Sequence, residues 1–212
     1  MKDKAKIFGV GILDANYKTR IFRCDSGNQT LVWKCPFYAK WTDMLMRCYS
    51  AKYQGKQPKY KGCYVTDEWL TFSSFRSWME CYDIEDKELD KDLLVDGNKV
   101  YSPSTCCLVS GEVNKFLLAS TSRKGKYPLG VSLCSRNNRI RYLSRASVNK
   151  RAKNLGRFTT PMQAHHAWQK KKLELAMELQ SRQDDERVRK GLQRVIDKLK
   201  YHIENGIETT SL

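Results

Sequence analysis

Apolar residues recur at helical spacing in the first half of the chain. Phe37, Trp41, Met44, Leu45 and Cys48 fall three or four apart and predict a helix over about residues 36–49. A polar stretch, residues 50–62, follows and reads as a loop. Beyond it Thr66 is a candidate N-cap, and Trp69, Leu70, Phe72, Phe75, Trp78 and Met79 supply one face of a further helical segment. Large side chains at this spacing pack a small core more readily than they offer a base-stacking platform. Upstream, residues 10–34 read as short strands, with Ser26-Gly27-Asn28 as a turn.

After Pro128 the period changes to two. Asn137-Asn138 is a hairpin-turn candidate, after which Arg139, Arg141 and Arg145 share one strand face while Ile140 and Tyr142 fall on the other, packed one. A helix then starts sharply, with Thr160 at the N-cap, Pro161 in the first turn and Gln163 completing a capping box. Its pattern runs to about residue 204 and stops at Asn205-Gly206. The wholly polar residues 181–186 either break this helix or merely expose it. Val188, Leu192, Val195 and Leu199 form a stripe that either seeds self-association as a coiled coil or packs onto the chain's own body.

The expected fold is therefore α+β. It comprises a mixed, aromatic-rich region over residues 1–88, a compact unit over 89–118, a basic linker over 119–127, and a three-stranded sheet with a long helix over 128–212. Forty-one per cent hydrophobic residues, five Trp and eleven Tyr befit a folded protein. No apolar run is long enough to cross a membrane, and the N-terminal sequence lacks the apolar core of a signal peptide, so a cytoplasmic protein with no membrane partner is expected. Eight scattered cysteines without a CxxC pair read as buried apolar fillers; the alternative is a structural zinc site drawn from Cys35, Cys48, Cys63 and Cys81.

Charge alters the picture most. Between Val113 and Leu173 there is no Asp or Glu, while the same window holds fifteen Lys and Arg, nearly the whole formal net charge of +16. Such a concentrated positive field suits a polyanion, with nucleic acid preferred to an acidic membrane surface. Candidate contacts are Arg123, Lys124, Lys126, Arg136, Arg139, Arg141, Arg145, Lys150, Arg151, Lys153 and Arg157, with Lys170, Lys171 and Lys172 assigned to the helix surface.

Two stretches resemble known families. Leu89-Asp90-Lys91-Asp92, Gly97-Asn98, Tyr101-Ser102-Pro103 through Cys106, Leu108-Val109 and Asn114 resemble the HNH (ββα-metal) proteins of tailed bacteriophages, as do Trp41, Met44, Arg47-Cys48-Tyr49, Gly62-Cys63 and the aromatic series after Trp69. The resemblance implies an endonuclease unit in which Asp90 and Asn114 bind Mg²⁺ or Mn²⁺ and the catalytic set is completed by Asn98 and the residue after Asp90. That residue, where the family places its general-base His, is Lys91. A lysine between Asp90 and Asp92 stays protonated at neutral pH and is a poor base. The three His of the chain, His165, His166 and His202, all lie far downstream.

Gly130-Val131, Arg141, Leu155-Gly156-Arg157-Phe158, Thr160, Ala164 and Ala167 resemble the Apetala/ethylene-response-factor DNA-binding domain, which follows an HNH core in phage homing endonucleases. This implies a sheet that enters the major groove, backed by a helix, with Arg139, Arg141, Arg145 and Arg157 on the DNA. The expected function is nucleic-acid binding, foremost to double-stranded DNA. One alternative is a metal-dependent homing or nicking endonuclease. Another is a non-catalytic phage regulator or anti-defence protein that binds structured RNA or ribosomes.

Overall fold

A computed structural model describes residues 6–25, 27–118, 125–136, 139–148 and 151–212. The chain divides into two compact units, residues 1–108 and 109–212. Both units are α+β, and the boundary between residues 108 and 109 divides the expected 89–118 unit.

In the first unit a hairpin of β1 (Arg20–Asp25) and β2 (Asn28–Lys34) precedes helix α1 (Pro36–Tyr49), which spans the residues its periodicity predicts. Strand structure starts at Arg20. Residues 10–19 make only isolated bridges and turns, a correction to the expected strand start. Ser26 of the expected turn lies outside the described residues. The polar residues 50–62 also depart from expectation, folding as helix α2 (Ala51–Lys56) and a 3-10 turn (Pro58–Tyr60). Local side chains drive this: the Ser50 hydroxyl accepts the Tyr53 N–H, the Gln54 amide donates to the Arg47, Cys48 and Tyr60 carbonyls, and the Tyr53 and Tyr60 rings meet at 5.8 Å.

After the short strand β3 (Tyr64–Val65), helices α3 (Asp67–Leu70) and α4 (Phe72–Met79) divide the predicted segment at Thr71. The break has a cause. Ile12 pairs there, its N–H donating to Leu70 and its carbonyl accepting from Phe72. Thr66 occupies the N-cap position, but its hydroxyl donates to the Tyr101 carbonyl and does not cap the helix. The aromatic series forms the core as expected: Trp41, Trp69, Phe72, Phe75 and Met79 are all buried, and the Trp41 indole donates to the Trp69 carbonyl at 2.8 Å. Each such side chain contributes about 1.5–3 kcal/mol by leaving water. Strand β4 (Lys87–Asp90) pairs with β6 (Cys107–Ser110), whose first two residues end this unit, and β5 (Val100–Tyr101) runs parallel to β3.

The second unit contains α5 (Gly111–Leu118), an antiparallel sheet of β7 (Val131–Arg136), β8 (Arg139–Val148) and β9 (Arg151–Phe158), then α6 (Pro161–Ser181) and α7 (Glu186–Glu204). The capping box of Thr160 and Gln163 is formed as its sequence predicts. The polar residues between α6 and α7 break the helix, because Asp185 caps a new one by accepting the Arg187 and Val188 N–H groups. α7 then packs on α6. Val188, Leu192, Val195 and Leu199 are all buried in that packing, so the stripe belongs to the chain's own core and is not a surface for self-association. Asn137-Asn138 and residues 119–124 of the expected linker lie outside the described residues.

The C-terminal segment folds back onto α6. The His165 Nδ1 donates to the Leu129 carbonyl at 2.9 Å, and its Nε2 accepts the Thr209 N–H at 3.0 Å, which requires the neutral ring. Gln169 donates to the Ile207 carbonyl and the Thr209 hydroxyl. Burial pulls the His165 pKa below its usual value, against the opposing pull of the Leu129 carbonyl. Below about pH 6.5 the unfolded chain binds a proton that the folded chain resists, so this residue stabilises the fold fully above that pH and less as pH falls toward the depressed folded value. The expected result is a urea midpoint lower at pH 5.5 than at 7.5, with a smaller difference in His165→Gln. Equal differences in the two proteins would exclude His165 as the source.

Candidate nucleic-acid interface

The residues of the nuclease-like stretch shape a loop between β4 and β5. One oxygen of Asp90, Oδ1, accepts the N–H groups of Asp92 at 2.9 Å and Leu93 at 2.7 Å, turning the chain directly after the strand. Asn98 clamps the far side: its amide donates to the Lys91 and Val100 carbonyls, both at 2.7 Å, and its Oδ1 accepts the Val100 N–H at 2.9 Å. Lys91, which stands where the resemblance expects a base, is buried. Its ammonium donates at 2.5 Å to both the Asp92 carboxylate and the Asn98 carbonyl. The two contacts tie the lysine into the loop, in keeping with a loop-fixing role. Burial raises the Asp90 pKa, with its two N–H partners opposing.

Asp90 lies in the first unit and Asn114 on α5 in the second. Mg²⁺ and Mn²⁺ take several oxygen donors. Within the first unit Asp90 offers one carboxylate, already engaged in the turn beside a buried ammonium. Among the described residues no three His, Cys, Asp or Glu side chains come together, and the four cysteines weighed for zinc include Cys81 on the surface. Burial pushes the Cys48 and Cys106 thiols up to about 12, so neither is a nucleophile at neutral pH.

The sheet of the second unit divides the basic candidates. Residues directly opposite in an antiparallel pair share a face. On β8, Arg141, Leu143 and Arg145 alternate on one face, and the β8–β9 register places Arg157 opposite Leu143 and Asn154 opposite Arg145. Leu143 is buried although both Arg145 and Arg157 are exposed and Arg141 is half-buried. Three guanidinium-bearing residues therefore flank one apolar side chain, whose burial suits cover by their aliphatic stems. Ser144 and Ala146, small and buried, stand on the opposite face, and α6 packs against both β8 and β9.

The register shift comes from Leu155, an extra residue of β9 between the partners of Ser144 and Arg145. Its effect is to separate Arg157 from Arg151 and Lys153, which pair with Val148 and Ala146 and so belong to the other face, where both are exposed. Arg136 and Arg139 pair at the β7–β8 turn, with their side chains outside the described residues, as are Arg123, Lys124 and Lys150. Lys126 is exposed.

Two readings of the basic region need correction. Ile140, assigned to a packed face, is 59% exposed, next to the β7–β8 turn where it pairs with Ser135. Lys172, assigned to the helix surface, is buried: its ammonium donates to the Phe116 carbonyl at 2.8 Å and lies 3.8 Å from the centre of the Phe116 ring. Burial draws its pKa down to about 7. It is an interior group of the second unit and not a phosphate contact. The positions of Arg157 and Leu143 depend on the Leu155 bulge, for which the only sequence signal is the adjacent Gly156.

No family model matches this chain, and no curated protein or solved structure matches it either.

Proposed function

We propose that this protein binds nucleic acid, with duplex DNA as the preferred partner, through the sheet of its second unit. The observation that carries the reading is the Arg141–Arg145–Arg157 set around Leu143 on one face of the sheet, with Arg145 and Arg157 exposed. Arginine suits this position because its planar fork engages guanine edges or phosphates through paired hydrogen bonds. The acid-free window around the sheet adds the long-range attraction. On this reading the nuclease-like stretch is a folded remnant that does not cleave, because Lys91 is held in the loop where a base would have to stand.

Fluorescence anisotropy with a labelled 30-base-pair duplex tests the binding. The expected affinity falls steeply with salt, by about 10³–10⁵ between 50 and 200 mM if six to ten phosphates are engaged. Binding that does not depend on salt, or no binding, would exclude the reading.

The strand–loop–strand–helix order of β4, β5, β6 and α5, with Asn98 as its clamp, favours a second reading, a metal-dependent nicking endonuclease using Mg²⁺ or Mn²⁺ with Asp90 as a ligand. Incubation with supercoiled plasmid and either ion separates the two. Nicking lost in Asp90→Ala establishes the second reading; retention of the plasmid without nicking supports the first.

A further inference from the structure

The β1–β2 hairpin is exposed on both faces, although six of the thirteen residues of RIFRCD and NQTLVWK are apolar. Ile21 and Phe22 are each 48% exposed and Val32 53%, with Leu31 and Trp33 also on the surface. The register pairs Ile21 with Trp33 and Phe22 with Leu31, so each face carries a cross-strand apolar pair. A two-stranded ribbon gains little stability by itself in water, and an exposed apolar patch of this kind marks an interaction surface. Its base is fixed to α1: the Arg20 and Lys34 cations lie 5.6 Å from the Tyr38 ring centre, and the Lys34 ammonium donates to Thr42 at 3.0 Å. The ribbon is thus held at its root and projects.

Charge and shape select the partner. Residues 17–34 hold four cations, Lys18, Arg20, Arg23 and Lys34, against one acid, Asp25. A second copy of the chain would bring the same excess of cations to the contact. The major groove of B-form DNA admits a two-stranded ribbon, whereas the deep, narrow groove of duplex RNA does not. Apolar and aromatic side chains on such a ribbon meet sugars, thymine methyls and base steps, and Arg23 reaches phosphate.

We infer that the β1–β2 ribbon is a second DNA-contacting element that enters a groove of the duplex, with Phe22 and Trp33 as its apolar contacts and Arg23 as its phosphate contact. The inference rests on the nucleic-acid reading above. It adds to that reading a contact from the first unit, outside the acid-free window.

The test uses the full chain and the same labelled duplex, with far-UV circular dichroism and urea midpoints to establish that the variants fold; Phe22, Arg23 and Trp33 are all exposed. Phe22→Ser/Trp33→Ser is expected to lower affinity about tenfold or more while leaving the salt slope unchanged. Arg23→Ala is expected to reduce that slope by about 0.9. If both variants bind like wild type while Arg141→Met/Arg145→Met/Arg157→Met loses affinity, this inference is overturned and the sheet reading stands. If the wild-type protein binds no duplex, both fall. Sedimentation that shows the Phe22→Ser/Trp33→Ser protein changing from dimer to monomer, with DNA affinity unaltered, assigns the ribbon to a second copy and overturns the inference. An equal loss on an RNA duplex overturns the groove assignment.

Discussion

Replacing Arg141, Arg145 and Arg157 together by methionine is expected to lower affinity for a DNA duplex by at least about 10²-fold, with little change in stability. Each arginine that engages a base edge or phosphate contributes about 1–3 kcal/mol to binding, and about 1.4 kcal/mol is a factor of ten. The low end of that range already gives the stated loss for three residues on one face. Methionine is chosen because an unbranched stem still covers Leu143, so the comparison removes charge and fork geometry and leaves the packing. The control is Arg151→Met/Lys153→Met on the opposite face. Its expected effect is smaller and uniform across DNA sequences, since those positions act through the general field and not through directed contacts. Equal losses from the two sets would mean that binding follows net charge alone and that no face of the sheet is dedicated to DNA.

The distinction between faces shows where the sequence is sufficient and where it is not. α1 and the start of α6 are legible because periodicity and capping are local: five apolar residues at helical spacing define one, and Thr160, Pro161 and Gln163 define the other. The α6–α7 break is half legible, since the polar segment marks the place but the Asp185 cap decides the outcome. The sheet face is less so. Period-two alternation correctly groups Arg141 with Arg145, but adding Arg157 and removing Arg151 and Lys153 depends on one extra residue in β9. Lys172 lies beside Lys170 and Lys171 in sequence, and only the position of Phe116, fifty-six residues earlier, shows that it faces inward. The nuclease-like stretch is a third case. The sequence identifies Lys91 as a departure at the base position, and the structure adds what this lysine does, joining Asp92 to the Asn98 carbonyl and closing the loop.

Gly130→Ala is expected to destabilise the second unit by about 2–5 kcal/mol and to weaken DNA binding with it, although the residue presents no side chain to a ligand. Gly130 has φ +78°, in the left-handed region, where an L-residue costs roughly 1–2 kcal/mol. A Cβ there would lie 2.0 Å from Cδ1 and 2.3 Å from Cγ of Trp168. The indole has little room to yield: it is buried, and it stacks on His165 with ring centres 5.3 Å apart. Overpacking of this kind adds about 1–3 kcal/mol. The functional consequence follows from the backbone. The Gly130 carbonyl accepts the Arg145 N–H at 2.8 Å, so displacing Gly130 moves the strand that carries the central arginine of the basic face. Urea unfolding measures the first effect and duplex anisotropy the second. A double variant, Gly130→Ala/Trp168→Leu, separates contact from conformation: removing the indole relieves the overlap but not the backbone cost, so the pair should be less unstable than the sum of the two single changes. Strict additivity would mean that Gly130 is required for its backbone conformation alone, and that close contact with Trp168 does not set the position of β8.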